Sequence, residues 1–341
     1  MGAPRLQDVA TEAGVSITAA SMALSGKGRI SNTVRERVAL TAQRLGYVQR
    51  YHRTPVRLLA SRYIGIVHEA DQPHEWDFIR PIVQQCEDQL IARGYAAVLI
   101  PVTHGEIPEE VYRRIVASGV GAVLTIHYCS EEVLSRLEEQ GILVIVINNT
   151  NTQDKFYSVC VDDFQGAYEG ALYLCELGHR SILYVEYNRP DHANVVIDRF
   201  IGFQKALDQY KIGFQADQRI SLEFMDTARL ESSLRRSFSA RRPPTAIFSH
   251  DDYLAVYILD VLRTLGKRVP EDVSIIAPGD VLRYEECYVP QITTMRINTQ
   301  MLGRVACNLL MDRVDGRDHD DDIHVLKVKQ QIVKRGSCRT V

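Results

Sequence analysis

The sequence predicts an all-α head, followed by an α/β region with two lobes, each built on a parallel, doubly wound sheet. Residues 6–45 place small and apolar side chains at the three- and four-residue spacing of amphipathic helices. From Tyr63 onward, short β-branched runs alternate with helical stretches, as in parallel sheets covered on both faces. Charge follows the same division, because residues 1–62 sum to +7 while the whole chain carries −3. A basic head favours a polyanionic partner.

The head begins with a helix-turn-helix pattern hinged at Gly14. One face of the first helix carries Leu6, Val9, Ala10 and Ala13. Gly14 can take the positive φ of a tight turn, and Ser16 can cap the second helix. Small side chains at Ala19, Ala20 and Ala23 permit close packing. A third helix is expected from about Thr33 to Leu45, which predicts a helical head over residues 1–48 and a basic linker over 49–62.

The α/β region shows two sets of predicted strands. The first set comprises residues 64–67, 97–100, 122–126 and 143–147, and the second comprises 158–161, 182–185, 246–249 and 273–276, with a last strand near 324–333. Two sets predict two lobes within residues 63–341. Parallel sheets of this class bind ligands at the carboxyl ends of their strands, so we expect a cleft between the lobes.

Composition limits the class of protein. Hydrophobic residues make up 45% and charged residues 24%, which is ordinary for a globular protein. Seven scattered cysteines form no CxxC pair, which predicts reduced thiols rather than a disulfide framework or a metal site. We find no apolar leader and no aliphatic run of membrane-spanning length, so the expected location is the cytoplasm. No cofactor motif is present, and none is expected.

Several motifs in order resemble the LacI/GalR family of bacterial transcription regulators. They are Leu6-x-Asp8-Val9-Ala10-x-x-Ala13-Gly14-Val15-Ser16, then Ile30-Ser31 with Leu45-Gly46-Tyr47, Val161-Asp162-Asp163-x-x-Gly166, Leu177-Gly178-His179-Arg180, Arg199-x-x-Gly202-Phe203 and Thr293-Thr294. The resemblance spans nearly the whole chain. It implies a repressor whose affinity for double-stranded operator DNA is controlled by a small sugar-like effector, bound in a domain similar to periplasmic sugar-binding proteins.

The resemblance assigns the DNA-reading role to the second helix. Its exposed face is expected to carry Ile17, Thr18, Ser21 and Met22, with Leu6 and Ser16 beside it and Arg29, Ser31 and Asn32 as phosphate contacts. Family members commonly have arginine at the position of Met22. Met22 and Ile17 offer only apolar contacts, such as those to thymine methyl groups, so the operator should differ from the common family sequence. Helix packing is the alternative role for Met22.

The resemblance also implies a hinge helix that wedges a side chain into the minor groove. Family spacing places Val56 at the wedge, or Leu58 or Leu59 after a shift. Pro55 suits a first helical position, after Thr54 as cap. A linker with incidental apolar residues is the alternative.

The candidate effector-binding residues are Trp76, Phe78, Asn148, Arg199, Asp251 and Asp280. Trp76 and Phe78 are expected in the loop after the first strand, where Trp76 could stack on a sugar or fill a lobe interface. Arg199 could hold hydroxyls or a carboxylate, or could be a surface arginine at a helix start. The family's Gly-Tyr/Phe-Asp-Asp turn corresponds here to Ala277-Pro278-Gly279-Asp280. Gly279 therefore stands where the family has its first aspartate, and the loss of that carboxylate puts a standard pyranose ligand in doubt.

Two other functions compete with the repressor. A transport or chemotaxis binding protein is disfavoured by the basic head and the missing export signal. An enzyme of the doubly wound class is disfavoured because GxGxxG and GxxxxGK[ST] are absent and His127, His179 and His250 stand alone. We expect no catalytic activity. One helix-turn-helix reads a half-site, which predicts a homodimer. The few residues after the last strand are too short for a tetramerising coiled coil.

Overall fold

The computed structural model describes residues 6–25, 30–45, 61–69, 73–188, 193–224, 226–315 and 322–341. Contacts between Cα atoms divide the chain into two units, residues 1–54 and 55–341. Within the described ranges, no helix is both long and apolar enough to cross a membrane.

The first unit is a three-helix head. Its helices are α1 (Leu6–Ala13), α2 (Ile17–Ser25) and α3 (Asn32–Leu45). The turn forms as the sequence predicts, because Gly14 has φ +65° and Ser16 Oγ accepts the Ala19 N–H at 3.1 Å. The buried core is formed by Val9, Ala10, Ala13, Ala20, Ala23, Val38 and Ala42. The predicted close packing of small residues is therefore confirmed for Ala20 and Ala23, whereas Ala19 is only half-buried. Helix α3 begins one residue earlier than expected.

The second unit contains two six-stranded sheets. The first has the order β11-β5-β4-β3-β1-β2, and the second has the order β12-β10-β9-β8-β6-β7. The strands are β1 (Tyr63–Glu69), β2 (Ala96–Val102), β3 (Ala122–Ile126), β4 (Leu143–Ile147), β5 (Tyr157–Val161), β6 (Ile182–Tyr187), β7 (Arg219–Leu222), β8 (Ala246–Ser249), β9 (Ser274–Gly279), β10 (Thr293–Arg296), β11 (Val325–Val328) and β12 (Gln331–Val333). All the pairings are parallel except that of β10 with β12. The predicted class of two doubly wound lobes is confirmed.

Helices cover both sheets. They are α4 (Pro73–Ile91), α5 (Pro108–Ala117), α6 (Glu131–Glu139), α7 (Asp163–Glu176), α8 (Ala193–Gln209), α9 (Thr227–Phe238), α10 (Asp252–Thr264) and α11 (Thr299–Val314). In the first lobe, α4 and α11 pack together over one face of the sheet, and α5 and α6 lie in the other buried cluster. In the second lobe, α9 and α10 share one core and α7 and α8 the other.

Two strand assignments from the sequence are wrong. Residues 158–161 belong to the first sheet rather than the second, because β5 pairs with β4 in the register Ile145↔Tyr157. The single last strand near 324–333 is two strands, since β11 joins the first sheet and β12 the second. Strands β7 and β10, each of four residues, were not predicted.

The chain passes between the lobes after β5, between β10 and α11, and between β11 and β12. The first and last crossings are hydrogen-bonded to each other. The Gln330 N–H donates to Gln165 Oε1 at 3.0 Å, and Gln330 Nε2 donates to the Asp162 carbonyl at 3.4 Å. A Cβ on Gly166 would overlap the Gln330 amide, so this close approach requires glycine. These contacts tie the two crossings into one hinge.

Candidate functional site

The exposed face of α2 carries two large apolar side chains. Ile17 is 49% exposed and Met22 is 39% exposed, while Ala20 and Ala23 on the opposite face are buried against the other helices. Thr18 is exposed and Ser21 half-buried beside them. Exposed apolar groups next to hydroxyls suit contacts with base edges in a major groove.

The remaining head candidates have different environments. Ser16 and Ser31 accept N–H groups at the starts of α2 and α3, and Asn32 is exposed at the first residue of α3. Leu6 is half-buried and packs against the head core. Arg29, Val56 and Leu58 lie outside the described residues.

A cavity of about 160 Å³ lies between the two lobes of the second unit. Its described lining is Glu75, Phe78, His127, Asn148, Asp163, Val195, Arg199, Phe224, His250, Asp251, Asp252, Tyr253, Pro278, Gly279, Val281 and Ile297. His127, Asn148 and His250 each follow directly after a parallel strand. The cavity therefore stands where ligands bind in sheets of this class.

The first-lobe wall contains strained backbone. His127 has φ +64° and Asn148 has φ +54°, both in the left-handed region that side chains other than glycine rarely adopt. The Asn148 side-chain amide donates to His127 Nε2 at 3.1 Å, and the Phe78 ring stacks on the His127 ring with centroids 5.4 Å apart. Strain of this kind is concentrated at ligand sites.

A buried ion pair forms the floor in the second lobe. Arg199 Nε donates to Asp163 Oδ1 at 2.7 Å, and Arg199 Nη1 donates to the His250 carbonyl at 2.8 Å. Arg199 is 8% exposed. Burial raises the pKa of Asp163, and the nearby guanidinium opposes that shift. The pair connects α7, α8 and the end of β8 at the cavity.

Two successive aspartates stand where α10 begins. Asp251 Oδ1 accepts the Leu254 N–H at 2.7 Å and thereby caps the helix. Asp252 is fully buried, and its Oδ2 accepts the N–H groups of residues 280–282 at 3.0, 2.9 and 3.3 Å and the Tyr284 hydroxyl at 3.2 Å. Burial, followed by the charge of Asp251, raises the pKa of Asp252 to about 7.

The glycine that departs from the family turn lies against this buried carboxylate. Gly279 has φ +129°, and a Cβ there would stand 2.5 Å from Asp252 Oδ1. A side chain at residue 279 is therefore excluded while Asp252 keeps this position. Asp252 supplies the carboxylate at this corner of the cavity.

Polar contacts cross the cavity mouth. The Tyr253 hydroxyl on α10 donates to Asp77 Oδ2 on α4 at 2.7 Å. Asn194 Nδ2 on α8 donates to the Thr150 carbonyl of the first lobe at 3.3 Å. The lobes therefore face each other in direct contact around the cavity.

Three expectations about the site are wrong. Trp76 and Phe78 lie on α4 rather than in a loop, because the helix already begins at residue 73. Trp76 packs against the first-lobe core, with its ring centroid 5.0 Å from that of His68, and is not part of the cavity lining. Arg199 lies inside α8 instead of at its start.

Asp280 also differs from its expected role. Its carboxylate accepts the Thr294 hydroxyl at 2.7 Å and pairs with Arg335 at 2.5 Å and with Arg296. It is absent from the cavity lining. Asp280 instead secures the turn between β9 and β10 to the C-terminal segment.

Phe78, Asn148, Arg199 and Asp251 do come together at the cavity, as the sequence predicts. Four further residues line the cavity without having been predicted from the sequence, namely Glu75, Asp163, Asp252 and Tyr253. The lone histidines His127 and His250, for which the sequence indicates structural roles, line it as well. The sequence could have indicated part of this set. Residues 127 and 250–252 immediately follow predicted buried strands, and ligands bind at the carboxyl ends of such strands.

Family models match both parts of the chain. Residues 5–49 match the model described as bacterial regulatory proteins, lacI family, and residues 171–338 match the periplasmic binding protein-like domain. The HTH-type transcriptional repressor PurR of Pectobacterium atrosepticum is 26% identical over 339 residues, covering 97% of this chain and 96% of that protein. PurR of Haemophilus influenzae is 28% identical over 352 residues, with 98% and 99% covered.

Solved structures share the fold. A CelR–cellobiose complex superposes with TM-score 0.69 at 24% identity, covering 98% of this chain and 99% of that one. A LacI family regulator from Enterococcus faecium with bound ribose gives 0.66 at 26% identity, with 82% and 99% covered. The lac repressor dimer bound to operator and the anti-inducer ONPF gives 0.67 at 20% identity, with 99% and 100% covered.

Proposed function

Because the chain belongs to the LacI family and is a DNA-binding transcriptional regulator rather than an enzyme, we propose that it represses its targets as a homodimer under control of a small effector bound between the lobes. The observation that carries this proposal is the cavity at the carboxyl ends of both sheets, in the same chain as a helix-turn-helix head. Ligand binding there can act on the head through the hinge between the lobes.

In this proposal, residues 1–48 bind DNA and residues 63–341 bind the effector and dimerise. Residues 49–62 form the linker that joins these two parts of the chain. Ile17, Thr18, Ser21 and Met22 read base edges, which is supported by the exposure of Ile17 and Met22 on α2. Ser31 and Asn32 contact phosphates at the start of α3. Val56 or Leu58 forms the minor-groove wedge.

The effector is bound by Phe78, Asn148, Arg199 and Asp251 in this proposal, with His127 and Asp252 added from the geometry. A sugar-like effector is supported by the solved relatives, one bound to cellobiose and one to ribose. The cavity of about 160 Å³ is below the roughly 300–1,000 Å³ of pockets for drug-sized ligands, which favours a small effector.

Selection of DNA from a random pool by the full-length protein tests the DNA-binding part. The expected product is a pseudo-palindrome whose half-sites bind with steep salt dependence. Measuring the protein's affinity for that operator in the presence of small sugars then tests the effector part. A sugar that raises the Tm of the protein is expected also to change its operator affinity. Selection of sequences without two-fold symmetry would contradict the dimeric repressor, and ligand binding without any change in operator affinity would contradict effector control.

A further inference from the structure

We infer that the second lobe carries a further ligand site, separate from the cavity between the lobes, which binds a flat and neutral aromatic ring compound. The site is a groove between α8 and the edge strand β7. Six residues of its lining carry the argument, and they are Glu186, Phe200, Gln204, Phe214, Arg219 and Ser221. The inference goes beyond the proposed function, which uses the head and the cavity.

The groove has its own space and its own wall. Its volume of about 570 Å³ lies within the roughly 300–1,000 Å³ that is usual for small-molecule sites. The described linings of the groove and of the cavity have no residue in common. Helix α8 contributes to both, because Arg199 lines the cavity whereas Phe200 and Gln204 line the groove. A ligand can therefore occupy the groove without entering the cavity.

The Arg219 guanidinium forms a flat surface in this groove. Its Cζ lies 3.7 Å from the centroid of the Phe200 ring, which is a stacking distance. Its Nε and Nη2 are each 2.7 Å from Glu186 Oε1. These contacts fix the plane of the guanidinium, while 35% of the Arg219 side chain is exposed. Guanidinium groups stack on aromatic rings, so a flat ligand on Arg219 would extend the stack that Phe200 begins.

The charges of the groove favour a neutral ligand. Glu186 and Arg219 are the charged side chains of its described lining, and as an ion pair they have no net charge. Burial raises the pKa of Glu186, and the Arg219 guanidinium opposes that rise. An anionic ligand would compete with the buried carboxylate for Arg219, and separating the pair would leave an uncompensated buried charge. A cationic ligand would be repelled by the guanidinium on which it has to stack.

The remaining wall can bind the edge of such a ring. The side chains of Gln204 and Ser221 are half-buried, and neither forms a hydrogen bond with a described residue. The second carboxylate oxygen of Glu186, Oε2, is also buried and has no partner within the described ranges. Unpaired polar groups in a partly buried wall are suited to the N–H and carbonyl groups of a ligand. Phe214, edge-on to Phe200 at 5.8 Å between centroids, supplies an apolar wall.

Ligand-observed NMR titration of the full chain at pH 7 tests the inference. The flat and neutral probes are benzamide, nicotinamide and adenine. Cyclohexanecarboxamide keeps the amide of benzamide without a flat ring, and benzoate keeps the ring but is an anion. At least one flat probe should saturate a single site per chain and bind about ten-fold or more tightly than either matched compound. Binding of no flat probe, or equal binding of a matched compound, would overturn the inference.

Arg219→Lys is the matched variant, because it keeps a positive charge beside Glu186 and removes the flat guanidinium. The affinity for the flat probe should fall about ten-fold. Arg136→Lys is the control, since Arg136 of the first lobe also stacks on a ring, that of Tyr112 at 3.8 Å, and pairs with Glu109 at 2.7 Å. An unchanged affinity in Arg219→Lys, or an equal loss in both variants, would contradict the assignment.

Two further variants locate the probe. Gln204→Met removes the amide at nearly constant length on α8, so it should weaken binding several-fold even if the lysine variant is unstable. Asn148→Gly removes a cavity side chain at a positive φ that glycine adopts readily, and it should leave binding of the probe unchanged. Loss of binding in Asn148→Gly together with full binding in Gln204→Met would place the probe in the cavity and overturn the inference. The operator and sugar experiments test the proposed function separately.

Discussion

The Tyr253 hydroxyl and the Asp77 carboxylate, separated by 2.7 Å, join α10 of the second lobe to α4 of the first. Both residues lie beside the cavity, and Lys327 and Asp198 make a longer contact between the lobes at 3.7 Å. Contacts of this kind stabilise the form in which the lobes are together. Their strength sets how much of an effector's binding energy is needed for closure.

Replacing Tyr253 with Phe should favour the separated lobes. The substitution removes one hydrogen bond to a carboxylate, worth about 1–2 kcal/mol at a partly buried position. Hydrogen exchange measured by mass spectrometry should then be several-fold faster in peptides containing residues 127–128 and 250–253. Tyr257→Phe is the control, because Tyr257 lies on the same helix and is 36% exposed. Equal protection in both variants would show that the contact has no role in closure.

Arg199→Ala should abolish the effector response while leaving operator binding without effector intact. It also strands the buried Asp163 carboxylate, so the free energy of unfolding should fall by about 3–5 kcal/mol. Urea denaturation measures the loss, and operator titration with and without effector measures the response. Arg235→Ala, at a side chain 61% exposed on α9, should change neither. An intact effector dose-response in Arg199→Ala contradicts the role of the cavity.

Asp252 makes stability depend on pH. Its folded pKa of about 7 lies above the unfolded value near 3.9, so the folded state holds the proton more strongly. The stabilisation that this proton gives the folded state is complete below about pH 4 and is lost as pH rises through 7. Over that range the free energy of unfolding should fall by up to about 1.4 kcal/mol per pH unit. Asp252→Asn should weaken this dependence between pH 5 and 8 in denaturation experiments. Identical slopes for the two proteins would contradict a raised pKa.

Met22→Arg should change the preferred operator. Arginine can donate two hydrogen bonds to guanine, whereas Met22 offers only apolar contact. Parallel selections with both proteins should yield half-sites that differ at one position, with about 1–3 kcal/mol of discrimination there. Leu40→Arg is a control, since Leu40 is 66% exposed on α3 rather than on α2. Unchanged specificity in Met22→Arg would show that α2 does not read the bases.

The full-length protein should sediment as a dimer. A single head reads one half-site, and two-fold symmetry supplies the second. Sedimentation velocity over a range of micromolar concentrations measures this directly. A monomer at every concentration, or a stable tetramer, is the contrary result.

The sequence was most informative where local chemistry determines local structure. Gly14 and Ser16 define the turn of the head by backbone freedom and capping, and uninterrupted β-branched runs predict β3 and β4. Arg199 was selected by the resemblance, but its partner was not. Asp163 is 36 residues away and meets Arg199 only because α7 and α8 pack side by side.

The remaining errors have a common physical origin in tertiary contacts. Asp280 was expected at the cavity, yet it pairs with Arg335, which is 55 residues away and arrives with the C-terminal segment. Trp76 was expected in a loop, but α4 extends to include it and packs it against the first-lobe core. The residue pattern around Asp280 or Trp76 therefore gives no indication of the distant residues that each side chain contacts.

The last elements of the first lobe, α11 and β11, are synthesised only after most of the second lobe. Leu302, Ala306 and Leu310 of α11 are fully buried in the first-lobe core, so that core stays uncovered until residue 314 has emerged. The head, whose core lies within residues 6–45, can fold first during synthesis. The two lobes must instead mature together, and a chain cut at residue 162 should yield two aggregation-prone fragments rather than two folded halves.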